Sequence, residues 1–215
     1  MILQIDTYPR SLQCLAGLLT KDAHFAIPGK DGSVLLKEDD FGNNPNTLRH
    51  IKIIDLPVHT IVFSAHCLSY GVLEQDGNRE GVWPRISCYR SVADYLIVTK
   101  PDRDVYFLYI ELKTGFKNKK YIPQLRCARG HVEHLLYLIR HFDQDVFGGA
   151  CCLHRFVKFT KRPLAKGVTA GDDAFVLPKP PARNDDPYCA YQCFVEEGAS
   201  VSVQDLIRPF ESQPK

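Results

Sequence analysis

At 215 residues, 45% hydrophobic and 24% charged, the chain is long enough for one large domain and is composed like a globular protein, which excludes a disordered or fibrous one. A net charge of +2 excludes an argument for nucleic-acid binding from bulk charge and leaves only a local basic face. No run approaches the roughly 20 apolar residues of a membrane helix, so no membrane association is expected.

The first residues, MILQIDTYPR, are apolar for too short a stretch to read as a signal peptide. The eight cysteines follow no regular disulfide spacing, so reduced thiols and a cytoplasmic location are expected. Residues 11–19 have the apolar spacing of a short helix with Ser11 as N-cap. Turn-rich pieces at 28–32 and 42–46 flank a short strand at 33–37. Strands are expected at 48–54 and 60–64, an ambiguous stretch at 67–74 and a turn at 75–78, which makes 1–85 a β-rich N-terminal portion packed on a core.

From Ile86 the pattern sharpens. Strands are predicted at 86–90, 92–98 and 105–113, the last two joined by a hairpin at 100–104. Their unbroken apolar character suggests central strands covered on both faces. A basic loop with Lys117, Lys119 and Lys120 leads to an amphipathic helix over 124–142, then a strand over 150–159. Residues 160–187 are rich in proline and read as a loop or linker. The tail, 188–215, resumes with a strand at 188–195 and a short helix at 202–207 that complete the domain. The fold class is α/β, a mixed central sheet flanked by helices.

One short stretch, Tyr109-Ile-Glu-Leu-Lys-Thr-Gly115, ends an apolar strand in an acid and a base. Glu111 and Lys113 are two apart and share a strand face. Asp94 lies on the preceding strand, with 16 residues between it and Glu111, a spacing that brings both carboxylates together across a hairpin. Cutting a phosphodiester needs a divalent metal to activate water and offset phosphate charge. Mg²⁺ or Mn²⁺ takes oxygen ligands, and Asp94, Glu111 and the Leu112 backbone carbonyl supply them. Lys113 can position or deprotonate the water or stabilise developing charge, and Gln124 can hold a water or a phosphate oxygen. The plainer reading is an ion pair at a strand end, worth about 0–1 kcal/mol.

Asp94, then Glu-Leu-Lys-Thr-Gly at 111–115, then Gln124-Leu125 opening a helix, resembles the PD-(D/E)XK nuclease superfamily, closest to RecB-type nuclease domains. The resemblance covers residues 86–159, about a third of the chain. It implies a restriction-endonuclease-like core, with Asp94 and Glu111 as metal ligands, Lys113 as catalytic lysine and Gln124 as the helix glutamine. It further implies a DNA substrate ahead of RNA, a partner supplying a helicase or sensor function, and a place in defence against foreign DNA; it leaves an oligomer open. Lys117, Lys119, Lys120 and Arg126 would follow the nucleic-acid backbone. The sequence departs from the family in having Ala93 where a proline often precedes the acid, and Ala128 where a tyrosine is common. Many members add an upstream acid, for which Glu74 and Glu80 are the candidates. The alternative is an inactive nuclease-fold subunit that binds nucleic acid or a protein.

His131, His134 and His141 lie on the predicted helix without matching ligands. Cys151, Cys152, His154, Cys189 and Cys193 have spacings compatible with zinc, but they sit in apolar strands where buried thiols are common.

Overall fold

The computed structural model describes residues 8–18, 25–26, 28–38, 48–64, 93–113, 121–161 and 185–207. The expected strand at 86–90, the stretches at 67–74 and 75–78, the basic loop and most of the proline-rich segment lie outside the described residues. So do Glu74, Glu80, Lys117, Lys119 and Lys120.

Helix α1 (Arg10–Leu18) begins one residue earlier than its spacing predicts. Ser11 is not its N-cap: the Pro9 carbonyl accepts from the amides of Leu12 and Gln13 at 2.9 and 3.1 Å, and Ser11 is buried inside the first turn. Strands β1 (Phe25–Ala26), β2 (Val34–Lys37), β3 (His50–Ile54) and β4 (Thr60–Ser64) follow. Then come β5 (Tyr95–Thr99), β6 (Val105–Lys113), helix α2 (Tyr121–Phe142) and β7 (Cys152–Lys161). A 3-10 turn (Pro187–Cys189), β8 (Tyr191–Val195), β9 (Ser200–Ser202) and α3 (Val203–Ile207) end the described chain.

Among the described residues the strands form two mixed sheets. The larger has the order β1-β4-β5-β6-β7-β8, with β6, β7 and β8 parallel and the other pairings antiparallel. The smaller has the order β2-β3-β9, antiparallel and then parallel. The fold is thus a mixed α/β one, with β5 and β6 in the centre of the larger sheet.

Period-two alternation in β6 sorts its side chains into two cores. Val105, Phe107 and Tyr109 face the layer made by α1 and α2, where Leu12, Leu125, Ala128 and Val132 pack. Tyr106, Leu108, Ile110 and Leu112 face the smaller sheet and α3, meeting Leu36, Ile51, Val201 and Leu206. A strand covered on both faces needs a continuous apolar run, which is why Val105–Ile110 has no polar position.

The Tyr95 hydroxyl clamps the smaller sheet to this core, donating to the Lys37 carbonyl at 2.5 Å and accepting from its amide at 3.0 Å. Glu197 ties the turn before β9 to β3: its carboxylate accepts from the His50 amide at 2.9 Å and pairs with His50 Nδ1 at 2.8 Å. Among the described residues, no helix is long and apolar enough to cross a membrane.

Candidate active site

The hairpin register pairs Tyr95 with Ile110 and Thr99 with Tyr106. Continued by one step, it sets Asp94 opposite Glu111, with both on the face that α2 covers. Asp94 Oδ2 accepts a hydrogen bond from the Leu112 amide at 2.6 Å, which takes over the ladder where β5 has not yet begun. In a strand the amide and carbonyl of one residue project to the same edge, so the Leu112 carbonyl also lies on the Asp94 side of β6.

Glu111 is wholly buried. Lys113, on the same face, is in ion-pair contact with Glu111 Oε1, and among the described residues no other donor is aligned on the carboxylate. Burial, reinforced by the charge of Asp94, pushes the Glu111 carboxyl up to about 8, with Lys113 offsetting only part of this. Burial pulls Lys113 downward, but the charges of Glu111 and Asp94 outweigh it and leave the ammonium above its ordinary value.

Two further residues join this group without having been singled out in the sequence. Lys158 is the register partner of Glu111 on β7, shares its face and is fully buried. Its ammonium lies 4.6 Å from the ring centroid of Tyr121, the first residue of α2, a cation–π contact. Burial lowers Lys158, Glu111 draws it back up, and Lys113 opposes that. The signal was present in the run Phe156-Val-Lys-Phe159: a lysine inside a strand buried on both faces needs a partner. The second residue is Glu38, at the end of β2, whose charge raises both Glu111 and Lys113. It is an acid from the first 85 residues that acts on this site.

Gln124 is half-buried on the first turn of α2, three residues from Tyr121 and hence on the same helix face. The helix starts three residues before the predicted 124, because Pro123 falls within the first turn, where its missing amide costs nothing. Arg126 is exposed on the next turn, its guanidinium 5.6 Å from the Tyr188 ring centroid.

The remaining candidates do not converge. His131 is buried beside Cys127 Sγ at 3.5 Å, and His141 stacks on Tyr137 at the far end of α2. Tyr109 and His154 form a 2.8 Å hydrogen bond in the α-side core, where burial above all holds His154 down at about 4. Cys193 packs in the opposite core, so the zinc spacing brings no cluster together. Among the described residues, no group of three or more His, Cys, Asp and Glu side chains is arranged to hold a metal ion. Two opposed carboxylates are present, and carboxylate oxygens are chemically suited to a hard cation that keeps most of its waters.

No protein-family profile, no curated protein and no solved structure matches the chain.

Proposed function

We propose that the protein is a metal-dependent nuclease of the PD-(D/E)XK type, with a restriction-endonuclease-like core, that hydrolyses phosphodiester bonds in DNA. The observation that carries this reading is Glu111: a wholly buried carboxylate, opposite a second carboxylate and in ion-pair contact with a lysine two residues on. Fold economy would not place an acid there. Even an ion-paired carboxylate carries a desolvation cost when buried that its pairing need not repay, and apolar packing would avoid that cost.

Asp94, Glu111 and the Leu112 carbonyl would hold Mg²⁺ or Mn²⁺, which when bound polarises the phosphate and makes its water more acidic. Lys113, kept charged by Glu111 and Asp94, acts as a fixed cation toward the negative charge that grows on the phosphate oxygens as water attacks phosphorus. Its raised pKa argues for this electrostatic role over proton abstraction. Gln124 orients a water or a phosphate oxygen from the first turn of α2.

A second reading, an inactive subunit of the same fold, is favoured by Asp94 already accepting the Leu112 amide and by the lack of a third clustered ligand among the described residues. Purified protein incubated with plasmid and single-stranded DNA in Mg²⁺, Mn²⁺ or EDTA separates the two. Metal-dependent cleavage that disappears in Glu111→Gln and Lys113→Ala supports the enzyme. Binding of DNA without cleavage under every metal condition supports the inactive subunit.

A further inference from the structure

Along α2 from the carboxylate site, a groove of about 300 Å³ opens between the helix and the 3-10 turn before β8. Arg126, Arg129, Gly130 and Glu133 line one wall, and Asp186, Pro187 and Tyr188 the other. Tyr188 is 63% exposed, unusual for a large aromatic ring. Asp186 accepts from the Tyr188 amide at 2.8 Å, fixing the turn, and Arg126 Nη1 donates to the Tyr188 hydroxyl at 3.3 Å. Arg129 is spent on the fold: it donates to Glu133 at 2.6 Å and to the Asp185 carbonyl at 2.7 Å. Arg126 pairs with no acid among the described residues.

Gly130 is the second observation. It sits inside a 22-residue helix, where glycine is less favourable than alanine, and it is exposed. A Cβ built there would meet nothing within 4 Å, so no packing contact requires a glycine. What the glycine does provide is a bare stretch of helix backbone at the wall of the groove.

We infer that this groove is a single-nucleotide subsite for single-stranded nucleic acid, with a base stacked on the Arg126–Tyr188 pair and its phosphate on the Arg126 guanidinium. The volume suits one nucleotide, an exposed ring beside an arginine is a platform on which bases stack irrespective of sequence, and Gly130 lets the sugar-phosphate lie close to the helix. At 1.5 Å per residue, Arg126 is about 8 Å along the helix from Tyr121, which covers Lys158 in the carboxylate row. The inference rests on the nuclease reading and names where the strand flanking the cut is held.

The test is binding of a labelled oligothymidylate to the full chain in EDTA, followed by anisotropy, with thymidine monophosphate as competitor. Tyr188→Ala should weaken binding at least five-fold, the loss of about 1 kcal/mol from one base stack, while Tyr188→Phe retains it. Gly130→Leu should block the groove and weaken binding, yet melt at or above the wild-type temperature because the helix gains a better former. Wild-type affinity in both Tyr188→Ala and Gly130→Leu would overturn the subsite. So would competition by the free monophosphate at the concentrations where the oligonucleotide itself binds, since that marks a mononucleotide pocket rather than a strand subsite. Cleavage assayed separately distinguishes the two proposals: a nuclease whose oligonucleotide binding ignores Tyr188 and Gly130 keeps its function and loses this subsite. A protein that binds through them but never cleaves keeps the subsite and loses the nuclease.

Discussion

Glu111 and Lys158 are register partners on the parallel strands β6 and β7, and both are fully buried. An acid and a base thus occupy facing positions in the interior of a sheet whose core is otherwise mostly apolar. Replacing Lys158 by Met should leave a packed interior but make Glu111 harder to ionise, because the buried cation facing it on β7 is gone. We expect metal-dependent cleavage by Lys158→Met to need a higher pH than wild type, while Lys158→Arg retains most of the profile. Coincident pH–rate curves for Lys158→Met and wild type would show that Lys158 serves packing alone.

The Glu111 carboxyl also sets a pH dependence of stability. Its folded value of about 8 lies above its ordinary value of 4.5, so between these limits the unfolded chain releases a proton that the folded one keeps. The contribution of this group is constant below about pH 4.5, falls by about 1.4 kcal/mol per pH unit through the interval and levels off above about pH 8. Melting in EDTA should therefore drop as pH rises from 5 to 8, and Glu111→Gln should remove most of that slope. An equal slope in the variant would assign the effect to another group.

Cation binding offsets the same penalty. Mg²⁺ or Mn²⁺ at about 100 times its Kd should stabilise the protein by about 2.7 kcal/mol. The gain in melting temperature should be larger at pH 8 than at pH 6, since the metal takes the ionised carboxylate. A metal-independent melting temperature across this range, in a protein that does not cleave, would remove the metal centre.

Asp94 separates charge from hydrogen bonding. Asp94→Asn retains an acceptor for the Leu112 amide and should change stability by less than about 1 kcal/mol, whereas Asp94→Ala orphans that amide and should cost about 1–3 kcal/mol. Both should lose at least about 100-fold in cleavage, as expected when one charge-stabilising group is removed. Chemical denaturation reads the first difference and a plasmid assay the second; full activity in Asp94→Asn would mean that the carboxylate only ends the ladder.

Local pattern made much of the centre legible. The hairpin, the bounds of β6 and the opposition of Asp94 to Glu111 all follow from alternation and from a five-residue connection, which are nearest-neighbour properties. Lys158 was hidden because strand 150–159 gives no hint of which neighbour it joins; its meaning depends on the parallel pairing with β6 across a 22-residue helix. Glu38 directly follows β2, which reaches the core through the pairing with β3 and the Tyr95 contact, neither of which local pattern shows. The three-residue β9 has no periodicity to read and exists through its pairing with β3. The 3-10 turn shortened the predicted strand 188–195 because Asp186 caps it and Pro187 starts it.

That pairing of β3 with β9 has a consequence in time. During synthesis β3 must wait for a partner encoded about 150 residues later, on the order of 7–30 s at roughly 5–20 residues per second. Until then the apolar side of β6 that carries Leu108, Ile110 and Leu112 lacks the part of its cover supplied by β9 and α3. A nascent chain in that interval presents a sticky flank to its surroundings, and the Glu197 clasp on β3 is among the last contacts to close it.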